Sequence, residues 1–103
     1  MDNNYDLYVK TGESYRVLRD YNEQLKDFSS NIEKSLSNIN REVIAMGSSW
    51  SGESYDQIKD AIYNKTLLVG KNNKEIRSLS SKLDSYAERL EQIISNMKKD
   101  LGA

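Results

Sequence analysis

The side chains that perform most acid–base and metal chemistry in proteins are missing or scattered in this chain. It contains no histidine, which removes the commonest general base and metal ligand, and no cysteine, which excludes a disulfide framework. Its 16 acidic residues are interspersed with 15 basic ones, as on the solvated face of a helix. The sequence shows no paired carboxylates placed for catalysis, no metal-ligand cluster and no phosphate-binding loop. We therefore predict that the protein is not an enzyme and has no catalytic, cofactor-binding or metal site.

The seven tyrosines are the remaining group with a recognisable chemistry, because aromatic rings stack on single-stranded nucleic acid. A net charge of -1 argues against that use, since nucleic-acid binders carry a basic face. We therefore predict no nucleic-acid partner. The sequence also has no apolar run long enough to cross a bilayer, so we predict no stable membrane insertion.

Two amphipathic helices are predicted on either side of Ser49-Trp50-Ser51-Gly52, which contains the only tryptophan. The chain has no proline to interrupt a helix. Apolar residues recur at heptad spacing before and after this stretch, which places them on one face of each helix. Before it they are Leu18, Leu25, Ile32, Ile39 and Met46, flanked by Tyr21, Phe28, Leu36 and Val43. After it they are Tyr55, Ile62, Val69, Ile76, Leu83, Leu90 and Met97, flanked by Ile58, Leu79, Tyr86 and Ile93.

The predicted organisation is one helical-hairpin domain over residues 1–103, with helix 1 at about 8–46, a turn at 47–52 and helix 2 at about 53–99. Thr11 is a candidate N-cap for helix 1, although a start nearer Asp6 is also consistent with the pattern. Gly47 lies where a C-terminal cap belongs, because glycine tolerates the left-handed conformation that ends many helices. The segment 70–73 is poor in helix-forming residues, but the heptad spacing continues through it. We therefore predict one long second helix, with residues 100–103 frayed.

The turn motif consists of Trp50 and Gly52. With Ser51 as the N-cap of helix 2, Trp50 and Tyr55 would form a hydrophobic staple that fixes how the chain enters the helix. Gly52 would let the helix start approach another backbone or a large ring closely. Ser54 and Gln57 offer a rival capping box a few residues later.

A pair of helices has little interior, so we expect the hairpin to be marginally stable alone and to pair into a four-helix bundle dimer. The partner would be a second copy or a related small helical protein. The residues predicted to form the seam of the hairpin and of the dimer are Leu18, Leu25, Phe28, Ile32, Ile39, Val43, Tyr55, Ile62, Val69, Ile76, Leu83, Tyr86 and Leu90.

The chain resembles the WXG family of early secreted antigen-like proteins, which belong to type VII secretion in Gram-positive bacteria and mycobacteria. The resemblance rests on Trp50 and Gly52 between two heptad patterns in a chain of 103 residues. It implies an all-α hairpin that dimerises into a four-helix bundle. It also implies an export substrate, or a partner that carries a larger toxin to the secretion ATPase.

One departure from the family pattern leaves three functions open. The family's export signal is Tyr-x-x-x-acidic, but Leu90 stands at that distance from Tyr86, and no other tyrosine supplies the pattern. Either a variant signal is used, or the chain is a cytoplasmic adaptor for a Leu-x-Gly toxin that supplies the signal. A coiled-coil scaffold unrelated to export is the third interpretation. The acidic, polar start at residues 1–6 does not read as a signal peptide, so we expect secretion without a cleaved signal, or a cytoplasmic location before export.

Overall fold

The computed structural model describes residues 3–102, which form two long α-helices joined by a short connection. Helix α1 is Asn3–Met46, with 44 residues, and helix α2 is Glu53–Asp100, with 48 residues. Helix accounts for 92% of the structure, and residues 3–102 contain no strand. The predicted all-α class, with two long helices that pack against each other, is confirmed. Met1, Asp2 and Ala103, the ends of the predicted domain, lie outside the described residues.

Helix α1 begins at Asn3, earlier than the predicted start near residue 8. Thr11 is not the N-cap, because it lies inside the helix and its hydroxyl donates a 2.7 Å hydrogen bond to the carbonyl of Leu7. A threonine hydroxyl can bond to the carbonyl one turn back as well as cap a helix start. The residue type alone therefore did not identify the boundary.

Helix α2 is continuous through residues 70–73, so the prediction of one long helix rather than two shorter ones is confirmed. It ends in a turn in which Gly102 has a φ of 76° and donates a 3.0 Å hydrogen bond to the carbonyl of Lys99. A glycine in the left-handed region just beyond the last turn is a common helix ending. The helix thus extends to Asp100, and a defined turn follows it.

The chain divides into two compact units, each built from one segment of α1 and one of α2. Unit A combines α1 up to Lys26 with α2 from Ser78 onwards, and unit B is Asp27–Arg77. The helices run antiparallel in unit A, since Tyr15 bonds to Glu91 and Asn22 bonds to Ser80. In unit B the same direction follows from the bonds that join Ser29 to Asn73 and Val43 to Tyr55.

The burial pattern is the reverse of that in most globular domains. Within residues 3–102 no hydrophobic side chain is buried, whereas four polar residues are 4–5% exposed. Buried residues are usually apolar, so the contact between the helices in each unit is polar at its most enclosed points. The four buried residues are Asn22, Ser29, Asn73 and Ser80.

Candidate interaction surfaces and the helical corner

The connection between the helices, residues 47–52, lies in unit B and begins with a tight backbone turn. The amides of residues 47, 48 and 49 donate to carbonyls three residues earlier, and the amide of Trp50 donates to Met46 at 2.9 Å. Gly47 was predicted to cap α1 in the left-handed conformation, but it does not have a positive φ. The short-range bonds satisfy the last carbonyls of α1 instead.

Tyr55 holds this corner together from the first turn of α2. Its hydroxyl donates a 2.8 Å hydrogen bond to the carbonyl of Val43. Its ring lies against the Trp50 indole, with 5.9 Å between ring centroids and 60° between planes. The ammonium of Lys59 lies 5.7 Å from the ring centroid of Tyr55, within the range of a cation–π contact. Trp50 itself remains 37% exposed.

The two glycines of the corner have roles opposite to those predicted. Gly52, predicted to permit a close approach, has nothing within 4 Å of a Cβ built on it, but its φ is +107°. Gly47, which was predicted to adopt the left-handed conformation, is instead the residue that permits a close approach. A Cβ at this position would lie 2.7 Å from the Tyr55 hydroxyl oxygen. The carbonyl of Gly52 receives the first helical hydrogen bond of α2, from Asp56 at 3.0 Å. Gly52, rather than Ser51, therefore holds the N-cap position.

In unit A a polar cluster joins the two helices. Asn22 accepts a 2.6 Å hydrogen bond from the hydroxyl of Ser80 and donates one of 2.7 Å to the carboxylate of Asp84. Lys26 binds the same carboxylate oxygen at 3.0 Å. Every side-chain polar atom of Asn22 and Ser80 therefore forms a hydrogen bond within this cluster. These hydrogen bonds offset the free-energy cost of burying the two side chains.

At the outer edge of this cluster, Tyr15 donates a hydrogen bond to the carboxylate of Glu91. This bond raises the pKa of Tyr15 above its usual 10.0, because removal of the proton would place two negative charges in contact. The guanidinium of Arg19 lies 5.8 Å from the Tyr15 ring centroid and acts in the opposite direction on that pKa. Polar contacts thus join the two helices of unit A along one side of the pair.

Unit B contains a second polar cluster of the same kind. The hydroxyl of Ser29 donates a 2.7 Å hydrogen bond to the Asn73 side-chain carbonyl, and the Asn73 amide donates back to the Ser29 backbone carbonyl at 3.3 Å. Arg77 donates to the Ser29 hydroxyl at 3.4 Å and forms an ion pair with Glu33. No buried side-chain nitrogen or oxygen in the described part of the chain lacks a hydrogen-bond partner.

The heptad positions can be assigned from these contacts. The four buried polar residues occupy position a, and the main apolar rows of both helices occupy position d. Of the residues predicted for the seam, most are half-buried, while Phe28, Ile39, Val69 and Tyr86 are exposed. The half-buried ones are Leu18, Leu25, Ile32, Val43, Tyr55, Ile62, Ile76, Leu83 and Leu90.

In both helices the residues enclosed within the helix pair lie one position after the second predicted apolar row. The apolar pattern pointed to Tyr21 and Phe28 in α1, but these are 55% and 56% exposed, and the next residues, Asn22 and Ser29, are buried instead. In α2 the same displacement places Leu79 outside and Ser80 inside. Hydropathy selected the apolar neighbours, which stand at position g. The polar residues at position a were missed because only their partners on the other helix allow them to be enclosed.

The two sides of each helix pair therefore differ in character. In an antiparallel pair, positions e of both helices share one side and positions g share the other. The e side carries the ion pairs Lys26–Asp84 in unit A and Glu33–Arg77 in unit B. On the g side, unit B presents only Phe28 and Ile58 as large apolar residues. Unit A presents a longer row, which we call the apolar face: Tyr21, Leu79, Tyr86 and Ile93, all exposed.

A polar groove of about 400 Å³, lined by convergent polar groups, lies beside the unit A cluster. Its walls include Tyr15, Lys26, Asp84 and Glu91, which are already bonded to one another across the helices. Residues 3–102 hold no group of three or more side chains suited to bind a metal ion. The assignment as a non-enzyme stays a prediction.

Neither helix, over the residues that the structure describes, is long and apolar enough to span a membrane. No family model, curated protein or solved structure matches this chain. The functional assignment therefore rests on the residues and their geometry.

Proposed function

We propose that this chain is a small helical protein of a type VII secretion system, which acts by pairing its helices with those of a partner. It serves as an export substrate or as the partner that accompanies a larger toxin to the secretion ATPase. The hairpin and its partner form a four-helix bundle, and Trp50 with Gly52 forms the turn motif of the hairpin.

The observation that carries this proposal is the reversed burial. The contact between α1 and α2 encloses polar side chains, while the apolar face of unit A is left to solvent. Within this face the Tyr86 side chain is 53% exposed, and large aromatic side chains are typical anchors of protein–protein interfaces. A second helical pair packed on this face would remove it from water and supply the apolar interior that residues 3–102 lack on their own.

The corner supports a recognition role at a defined place. Trp50 contacts Tyr55 on one side and remains partly exposed on the other. An indole that lies against Tyr55 and keeps a partly exposed face can dock against a partner at a lower entropic cost than an indole without any contact. The corner is therefore suited to both packing and docking.

The first test measures export in the native host. Deletion of the secretion ATPase should remove the protein from the culture supernatant, with a cytosolic marker to control for lysis. If the protein remains inside the cell in both strains while a co-purifying toxin loses its export, the chain is an adaptor. Unchanged supernatant levels of both the protein and its partner would refute the link to type VII secretion and leave the scaffold interpretation.

The second test asks whether the apolar face binds the partner. We expect the double variant Leu79→Asp/Tyr86→Asp to lose co-purification of a small helical protein or toxin, because it places charge on that face. The matched control is Ser78→Asp/Ser85→Asp, which adds the same charge one position earlier in the helix. If both double variants co-purify the partner in equal amounts, the apolar face is not the binding surface.

A further inference from the structure

The segments 22–33 and 73–84 repeat one pattern, which becomes visible once the polar clusters are known. The first reads NEQLKDFSSNIE and the second NKEIRSLSSKLD. Both begin with asparagine, continue with an aliphatic residue and a base, contain an apolar residue before two serines, and end with an aliphatic residue and an acid. One segment belongs to α1 and the other to α2.

The polar clusters pair the beginning of each repeat with the end of the other. In unit A the asparagine and base of the first repeat, Asn22 and Lys26, bond to the serine and acid of the second, Ser80 and Asp84. Unit B reverses the roles of the helices. The asparagine and base of the second repeat bond to the serine and acid of the first, as the pairs Asn73–Ser29 and Arg77–Glu33.

Each repeat is therefore complementary to an antiparallel copy of the same pattern, wherever that copy comes from. Interfaces that are complementary to themselves are the kind that form between identical subunits. The α2 helix of a second copy offers to α1 the same serine, acid, asparagine and base, in the same order. Both clusters can form in full between two chains.

We propose that two copies of this chain exchange helices, so that α1 of one copy pairs with α2 of the other through both polar clusters. This is a different contact from the apolar face, and it does not depend on the proposed function. The exchanged pair preserves every cross-helix hydrogen bond and ion pair of the clusters. Only the corner must open, by breaking the Tyr55–Val43 bond and the contact of Trp50 with Tyr55.

The connection has a composition that permits such an opening. Residues 47–52 comprise two glycines, three serines and Trp50, and Gly52 has a backbone conformation that other residues rarely adopt. An extended connection would release that conformation. Exchange of identical elements about a short connection is a known route to dimers because it forms few new contacts.

Isotope-mixed cross-linking of the wild-type chain tests the proposal. Unlabelled and ¹⁵N-labelled protein are unfolded together, refolded at high concentration and treated with a carbodiimide. This reagent joins an amine to a carboxylate in direct contact, and Lys26 and Asp84 lie 3.0 Å apart. We expect Lys26–Asp84 cross-linked peptides with one light and one heavy half, at a level comparable to the like-isotope peptides. Like-isotope peptides alone would overturn the proposal.

The same measurement separates helix exchange from a dimer built on the apolar face. Two intact hairpins stacked through that face keep Lys26 and Asp84 within one chain, so their cross-linked peptides remain of one isotope. A result that overturns helix exchange therefore does not bear on the proposal that the apolar face binds a partner. A result that overturns that proposal likewise does not bear on helix exchange.

A charge-reversal pair gives an independent test. The variant Lys26→Glu/Arg77→Glu and the variant Glu33→Lys/Asp84→Lys each place like charges at both cluster ion pairs. When the two are mixed, all four ion pairs are restored if α1 of each variant pairs with α2 of the other, whereas two intact hairpins restore none of them. We expect heterodimers well above the random proportion in native mass spectrometry.

The control pair is Lys34→Glu/Lys74→Glu with Asp27→Lys/Glu75→Lys, which changes the same total charge at exposed positions outside both clusters. It should mix in the random proportion. Random mixing of the cluster variants, or the same excess of heterodimer in the control, would overturn the proposal. If the cluster variants are unfolded alone, recovery of helix by circular dichroism on mixing supports exchange, and its absence overturns it.

Discussion

Replacement of Gly47 by alanine should destabilise the corner, although glycine to alanine usually stabilises a helical chain. The new Cβ would lie 2.7 Å from the Tyr55 hydroxyl oxygen and 3.2 Å from the carbonyl of Ile44. Real Cβ atoms essentially never lie within 3.0 Å of another heavy atom, so the contact with Tyr55 cannot persist, and the contact with Ile44 is tight. Because the Ile44 carbonyl belongs to the helix backbone, Tyr55 is the group that must move.

The magnitude follows from what Tyr55 loses when it moves. Its hydrogen bond to Val43 contributes about 0.5–1.5 kcal/mol. Its ring contact with Trp50 contributes about 0.5–1.5 kcal/mol more. We therefore expect Gly47→Ala to lower the free energy of unfolding by about 1–3 kcal/mol.

Two matched glycines provide the control for this prediction. A Cβ at Gly12 meets nothing within 4 Å, and one at Gly70 meets only a Leu36 methyl at an ordinary 3.8 Å. Both residues lie inside helices, where alanine is favoured over glycine by about 0.5–1 kcal/mol. Gly12→Ala and Gly70→Ala should therefore raise the stability.

Urea unfolding followed by circular dichroism, at one protein concentration for all variants, measures these differences. A double-mutant cycle with Tyr55→Phe identifies the cause, because Gly47→Ala should cost less once the hydroxyl is gone. The reasoning is refuted if Gly47→Ala is as stable as Gly12→Ala, or if its cost is unchanged in the Tyr55→Phe background.

Three further predictions concern the rest of the molecule. Tyr86→Asp should weaken association in sedimentation experiments while the helix content stays the same, because Tyr86 belongs to the exposed apolar face. Leu83→Asp should lower both, because Leu83 is half-buried between the helices of unit A. Equal effects would contradict the assigned heptad positions. Ser80→Ala should cost about 1–3 kcal/mol in urea unfolding, because its buried asparagine partner loses a hydrogen bond. Tyr15→Phe should be less stable than wild type at neutral pH, and the difference should disappear as the pH rises well above 10.0. The Tyr15 pKa is raised in the folded state, so its contribution is complete below the ordinary pKa and is lost as the hydroxyl ionises. A difference that persists at high pH would show that the hydrogen bond to Glu91 is not its source.

The sequence was sufficient for the parts of the fold that depend on apolar periodicity. The heptad spacing predicted both long helices and kept α2 continuous through residues 70–73, where propensity alone suggested a break. The weak helix propensity of that segment is due in part to Asn73. This residue has a structural role, because its side chain forms part of the unit B cluster. The contact of Trp50 with Tyr55 was also predicted, from their separation around a helix start.

The interior of each helix pair could not be predicted from hydropathy. Asn22 and Ser80 look like solvent-facing residues until each is seen to be the other's partner. A comparison of segments 22–33 and 73–84 would have offered the missing signal, because a shared order of polar residues indicates a shared role. The roles of Gly47 and Gly52 depended on φ and on the place of the Tyr55 hydroxyl, which a single sequence does not specify.

The polar contact between α1 and α2 has a calorimetric consequence. The heat capacity of unfolding grows with the apolar area newly exposed to water and falls with the polar area. A hairpin whose most enclosed residues are asparagine and serine should therefore unfold with a small heat capacity change. Once a partner covers the apolar face, the same helices should unfold with a larger heat capacity change.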